Sequence, residues 1–186
     1  MTKNFKNQKF NNVDIISILI IILLIGAIFG FMWETSFYRL FMNDFAKRGT
    51  AFGPVVPIYG VGAVLIVLMS YGYKDHPILI FLINTFILGL LEYVTGWALY
   101  EFFDVRLWDY NTEIWNFGNL NGFICARSIG AFGFAGLFLI YVVLPCVTDL
   151  IKNVKIKRPT YTYVTFSLLA IFMLDNISYI LFKALR

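Results

Sequence analysis

The sequence predicts an all-α, polytopic integral membrane protein. It has about five transmembrane helices, with a Pro/Gly-broken or re-entrant segment before the second. Three observations carry that expectation. Of 186 residues, 60% are hydrophobic and only 14% charged, where a soluble domain carries roughly 25% charged residues. Uncharged runs cover 15–33, 52–73, 77–91, 128–148 and 159–174, and a helix needs about 20 mostly apolar residues to cross the hydrocarbon core. Finally, Phe52-Gly-Pro-Val-Val-Pro-Ile-Tyr-Gly60 places two prolines and two glycines where helix would otherwise continue. Non-helical backbone at membrane depth is tolerated only where protein or a water-filled cavity satisfies its polar groups.

The whole chain, 1–186, reads as one transmembrane domain with spans near 15–35, 55–73, 77–102, 123–148 and 161–184. The first apolar segment exceeds the roughly 7–15 residues of a signal-peptide core and lacks a small-residue cleavage site, so it is expected to be retained. Along it Gly26, Gly30 and Glu34 recur every fourth residue and share one helix face. Two small residues admit a neighbouring helix closely, and the face ends in a carboxylate. In the 52–60 segment, Gly53, Pro54, Pro57 and Gly60 are expected to form the structural turn.

In the third span Glu92, Gly96 and Tyr100 share one face, and Trp97 and Glu101 another. At 100° per residue Glu101 lies about 180° from Glu92, so an unbroken helix cannot aim both into one site. The fourth span carries Gly122, Ala126, Gly130, Ala131 and Ala135, a small-residue pattern that predicts packing seams. It also holds both cysteines, Cys125 and Cys146, roughly 30 Å apart on a helix and unable to pair with each other. In the fifth span Asp175, Tyr179 and Lys183 stand four apart, which suits local pairing.

Charge sets orientation. Lys3, Lys6 and Lys9 precede the first span, and Lys152, Lys155, Lys157 and Arg158 separate the last two. With Lys74 these make eight cations on one side, against Arg39, Lys47, Arg48, Arg106, Lys183 and Arg186 on the other. The positive-inside rule therefore places the N-terminus in the cytoplasm of a multi-pass cell-membrane protein. The net charge of +4 is spread among loops, which fits anionic lipid and not a nucleic-acid footprint.

Charges within spans cost at least ~2.5–3.5 kcal/mol each and read as functional by default. Glu34, Glu92, Arg127 and Asp175 are such charges. The first three fall in the outer half of the bilayer, and Asp175 lies nearer its middle. With the 52–60 turn and the Trp108-Asp109-Tyr110 loop on the same side, the residues predict one polar cavity among spans one, three and four. The bland alternative is a Glu–Arg pair that only fastens helices. No G-x-x-x-x-G-K-[ST] loop occurs, so ATP hydrolysis by that route is excluded. His76, the single histidine, sits in a short turn, so no His-based zinc site is expected and no metal or cofactor is implied.

Several motifs fall in a set order: Trp33-Glu34, Lys47-Arg48-Gly49, Gly53-Pro54, Pro57-Ile-Tyr-Gly60-x-Gly62, Glu92-Tyr93, Glu101, Trp108-Asp-Tyr110 and Asn119-Leu-Asn-Gly122 leading to Cys125. In them residues 33–136 resemble the putative ABC-transporter type IV family, the CmpB-like permeases. The chain departs from the pattern at Phe123, where the family tends to be basic, with Arg127 one turn later. It departs again at Phe132-Gly133, where the family usually has a tryptophan–glycine, and in a slightly longer 111–118 loop. The resemblance implies a permease subunit working with a separate ATPase and with a homo-oligomer or partner permease.

Three functions stay open on the sequence. In the permease reading Glu34, Glu92 and Asp109 line the cavity and Arg48 and Arg127 are counter-charges. Tyr59, Trp108, Tyr110, Asn119 and Glu101 complete its binding set. In the second, an intramembrane enzyme holds a lipid or isoprenoid phosphate on Arg48 and Arg127. The third is a structural membrane subunit.

Overall fold

A computed structural model describes residues 10–153 and 158–185. The charged residues Lys3, Lys6, Lys9, Lys155, Lys157 and Arg186 used in the orientation argument lie outside the described residues. The helices are α1 (Asn12–Phe41), α2 (Pro57–Ser70, continued by a 3-10 turn at Tyr71–Tyr73), α3 (Pro77–Phe103), α4 (Ala126–Asn153) and α5 (Arg158–Ala184). No strand forms among the described residues beyond a lone antiparallel bridge of Leu120 with Ile124. By length and composition α1, α3, α4 and α5 suffice to cross a membrane, and α2 is a shorter apolar helix. The protein is thus an all-α polytopic membrane protein. Large apolar side chains such as Phe86, Phe134 and Leu174 are exposed, as a lipid environment requires.

Each helix is stopped by local chemistry. Asn11 and Asp14 form a reciprocal capping box at the start of α1, with N–H to oxygen distances of 2.8 and 3.1 Å. Pro57 and Pro77 sit in the first turns of α2 and α3, where a missing N–H costs nothing. Asp104, in the left-handed region with φ 52°, ends α3. Within α4 a π-helical turn at Leu139–Val143 precedes Pro145. A proline deprives the ladder of a donor and crowds the preceding turn, and the wider turn absorbs that without breaking the helix.

The α1–α2 seam follows the predicted glycine face. Gly26 faces Ala63 and the backbone of Tyr59 and Gly60; Gly30 lies under the Tyr59 ring; Gly60 meets the Leu23 carbonyl and Ala27. A side chain at any of them would drive the helices apart. The fourth-span pattern behaves differently. Gly122 is in a loop turn with φ +76°, Gly130 has nothing within 4 Å of a virtual Cβ, and Ala131 and Ala135 line a cavity. The tight α3–α4 contacts instead fall at Gly133, against Phe81 and Thr85, and at Gly136, against Asn84. Helical phase explains the correction: Ala131 and Ala135 fall on the side of α4 turned away from Gly133 and Gly136. Buried Asn84 reaches Ser70 Oγ at 3.3 Å, and Ser70 bonds the Ile66 carbonyl at 2.6 Å, so one polar chain ties α2 to α3.

The segment between α1 and α2 folds back beside α1. Val56 N–H donates to the Ala27 carbonyl at 3.0 Å, which lies roughly 20 Å along the axis from the end of α1. Pro54 occupies the centre of a three-residue turn closed by Val55 N–H to Gly53 O at 2.9 Å. The N–H groups of Phe52 and Gly53 donate to the two oxygens of Asp175 at 3.1 and 2.9 Å. Asp175 therefore serves the broken backbone, not a local pair with Tyr179 and Lys183. Tyr179 instead stacks edge-on with Phe52 at 5.2 Å and lies under Lys47, whose ammonium is 4.2 Å from its centroid. At the opposite end Asp14 accepts from Arg158 at 3.1 and 3.2 Å and from the Tyr161 hydroxyl. α5 is held to α1 at one end and to the broken 47–53 segment at the other. Cys125 and Cys146 are both free thiols.

Two outcomes are expected. Asp175→Ala removes a charged acceptor from two N–H donors and lowers stability by about 2–4 kcal/mol; Asp175→Asn, still an acceptor, loses less. Thermal unfolding in detergent and amide exchange at 52–53 read both. Gly136→Ala overpacks Asn84 and costs about 1–3 kcal/mol, whereas Gly130→Ala is neutral or stabilising by up to about 1 kcal/mol.

Candidate functional site

Between α1, α2, α3 and α4 lies a cavity of about 550 Å³, roofed by the 104–125 loop. One end is polar. Gly26, Gly30 and Glu34 continue by the same four-residue step to Tyr38, so α1 presents Glu34 and Tyr38 to the cavity. The Glu34 carboxyl interacts with the Tyr59 phenol from the first turn of α2. From α3, buried Glu92 accepts from Tyr110 Oη at 2.7 Å and has Ser128 Oγ at 3.0 Å. Ser128 also lies 2.9 Å from the Cys125 carbonyl and caps the start of α4.

Arg127, at the first turn of α4, finds its acid in the loop. Its guanidinium pairs with buried Glu113, whose other oxygen accepts the Tyr38 hydroxyl, and it lies 4.3 Å from the Phe37 ring. Glu113 is brought there by the left-handed turn at Trp115, φ 54°, whose indole stacks on Phe41 at 5.3 Å. The remaining surface is apolar and runs down α1 and α4 as far as Val143. The result is a compartment with a carboxylate-rich head and a hydrocarbon body.

The predicted residues divide. Glu34, Tyr59, Glu92, Trp108, Tyr110 and Arg127 line the cavity. Trp108 packs on Gly96 and donates its indole N–H to Phe123 O at 3.0 Å. Asp109 and Asn119 do not line it. Asp109 holds Arg106 at 2.8 Å and the Asn111 N–H at 3.0 Å, while Asn119 bridges Asn111 at 2.7 Å and Gly122 N at 2.9 Å. They stitch the loop that carries Tyr110 and Glu113. Burial pushes the Asp109 carboxyl up, but the Asn111 N–H and Arg106 outweigh it and hold it below its ordinary value. Burial, then the Glu92 carboxylate, holds the Tyr110 phenol well above its usual range, so it remains a donor.

Arg48 pairs with Asp44 and lies 3.4 Å over the Tyr38 ring, outside the lining. Glu101 is exposed on the far side of α3, which runs unbroken to Phe103 and keeps it out of phase with Glu92. Three lining residues went unread: Tyr38, Glu113 and Ser128. Tyr38 was available as the next step of the Gly26–Glu34 face. Glu113 had no periodicity to announce it, although Arg127 lacks an acid three or four residues away on its own helix. Among the described residues no three His, Cys, Asp or Glu side chains converge as a metal-ligand group.

Fold and site define a polytopic α-helical membrane protein with a cavity among α1–α4. The chain belongs to the putative ABC-transporter type IV family, whose sequence model matches residues 21–180. That match extends past both ends of the 33–136 stretch that carries the motifs. No curated protein and no solved structure matches the chain.

Arg127→Leu alone is expected to leave Glu113 buried and unpaired and to cost about 3–5 kcal/mol. Adding Glu113→Gln should recover part of that loss. A double-mutant cycle by thermal unfolding with a coupling under about 0.5 kcal/mol would show the pair to be incidental.

Proposed function

We propose that this chain is a permease-type subunit of a transport system, with the cavity among α1–α4 as its solute compartment. In this reading the cavity opens in the outer half of the bilayer and the N-terminus is cytoplasmic. The full-sequence count of eight lysines and arginines on the N-terminal side against six on the other supports that orientation. The single observation that carries the reading is the cavity itself. Glu34 and Glu92 face into it, from helices long and apolar enough to span a membrane. Carboxylates in such a place are costly and suit a substrate or ion path.

Family membership supports a separate ATPase partner, since the sequence carries no phosphate-binding loop of its own. One chain makes a narrow pathway, so the working unit is a homo-oligomer or a pair with another permease. The alternative of an enzyme holding a phosphate on Arg48 and Arg127 loses support, because both guanidiniums already carry a carboxylate. A purely structural subunit has no use for Glu34, which lines the cavity with the neutral Tyr59 phenol as its hydrogen-bond partner and the Arg48 charge nearby.

Purification from the native membrane in mild detergent is expected to bring an ATPase along in fixed ratio. Glu34→Gln should lower substrate-stimulated ATP hydrolysis of the reconstituted complex at least tenfold, at an unchanged melting temperature. A preparation free of any ATPase would end the proposal.

A further inference from the structure

The charge, shape and open side of the cavity together say more about its solute, on the reading that the cavity is a transport compartment. Three carboxylates, Glu34, Glu92 and Glu113, face one guanidinium, Arg127, in its lining. Arg127 is committed to Glu113. Arg48 nearby pairs with Asp44 and stands outside the lining, although its charge reaches Glu34. The polar end thus holds two carboxyl groups beyond the Arg127–Glu113 pair. It is also walled by aromatic rings, Trp33, Tyr38, Tyr59, Trp108 and Tyr110. Carboxylates beside aromatic faces are the chemistry that holds an ammonium group, by ion pairing and by attraction to the ring quadrupole.

The body of the cavity has the opposite character. From Ser128 to Val143 along α4 the lining spans roughly 22 Å, and past Ser128 it is apolar. Ala131 and Ala135 leave room where larger side chains would close it. Its side is not sealed. α1 packs on the last turns of α4 but stands apart from Ala126–Phe138. Across that gap Phe29, 50% exposed, and Phe138, 51% exposed, both line the cavity and stack at 6.5 Å. Ring side chains, not packed helix backbones, separate the cavity from the hydrocarbon of the bilayer at this point.

We infer that the compartment takes an amphiphile with a cationic head, a protonated amine or quaternary ammonium on a hydrocarbon chain. It is admitted from the bilayer between α1 and α4 past Phe29 and Phe138. The head lies against Glu34 and Glu92 and the chain along Ala131 and Ala135. A small hydrophilic solute would leave the apolar arm unfilled, and an anionic lipid would set its charge against the carboxyls of Glu34 and Glu92.

The test is saturable binding of radiolabelled dodecyltrimethylammonium and dodecylammonium to the full chain in zwitterionic-lipid nanodiscs, with empty discs subtracted. Both cations should bind at least tenfold more tightly than dodecyl sulfate and a hundredfold more tightly than tetramethylammonium. Glu34→Gln should weaken the cations about tenfold. Because Glu92→Gln risks the fold through Tyr110 and Ser128, Ala135→Phe serves as the second variant. It fills the arm and should weaken the dodecyl cations at least tenfold while leaving tetramethylammonium unchanged. Equal or tighter binding of dodecyl sulfate, or cation binding indifferent to both Glu34→Gln and Ala135→Phe, overturns the inference. Cation binding without stimulated ATP hydrolysis keeps the ligand class and removes the permease reading. Stimulation by a chainless solute alone keeps the permease and removes the ligand class.

Discussion

Backbone that leaves the helix within a membrane must find hydrogen-bond partners inside the protein, and here that constraint organises the molecule. The chain between α1 and α2 returns beside α1 and resumes helix only at Pro57. Its N–H groups are taken up by Asp175 and by the Ala27 carbonyl. An aspartate in the middle of an otherwise apolar helix is thereby explained without a substrate. The same arrangement explains why α5, largely exposed elsewhere, keeps Tyr179 and Phe182 against Phe52. Because α2 starts low, Tyr59 in its first turn meets Gly30 and Glu34 instead of passing above them. The position of the cavity floor thus follows from where the broken segment ends.

The polar end shows a division of labour between two kinds of buried charge. Arg127 and Glu113 pair with each other, with Tyr38 completing the acid, and a pair of that kind fastens the loop over the helices. Its net stabilising worth is small, since desolvation offsets most of the attraction. Glu92 is satisfied by two neutral hydroxyl partners, Tyr110 and Ser128, and Glu34 by one. Hydrogen bonds from neutral donors hold a carboxylate in place without cancelling its charge. Groups of the first kind are architecture; groups of the second retain a field that a solute can meet.

Much of this was legible in the sequence, and the failures have physical causes. Helix-length apolar runs and the Pro/Gly break gave the architecture, because membrane length and backbone satisfaction are local constraints. The Gly26–Gly30–Glu34 face was readable because helical period alone determines it. Glu113 was not, because a loop with left-handed residues at Trp115 and Asn121 has no period to project. Asp175 looked like a partner for Tyr179 and Lys183 by spacing, yet its donors come from residue numbers more than a hundred away. The small residues of the fourth span misled for a related reason. Small-xxx-small spacing reports that a face is low, but either a helix or an empty space can lie against a low face.

That ambiguity bears on why the cavity exists. A bundle filled for packing alone would place large side chains at 131 and 135 and close α1 onto α4, gaining the dispersion contacts that an unfilled space forgoes. It would also replace Glu34 and Glu92 by apolar groups, since unpaired carboxylates in a low-dielectric setting are destabilising. Here both departures occur together, around the same cavity and beside a side where helices stand apart. Two independent costs at one location are poorly explained by loose packing, which has no reason to coincide with charge. They are explained together if the space is completed by something that brings a hydrocarbon chain to the low face and a positive group to the carboxylates.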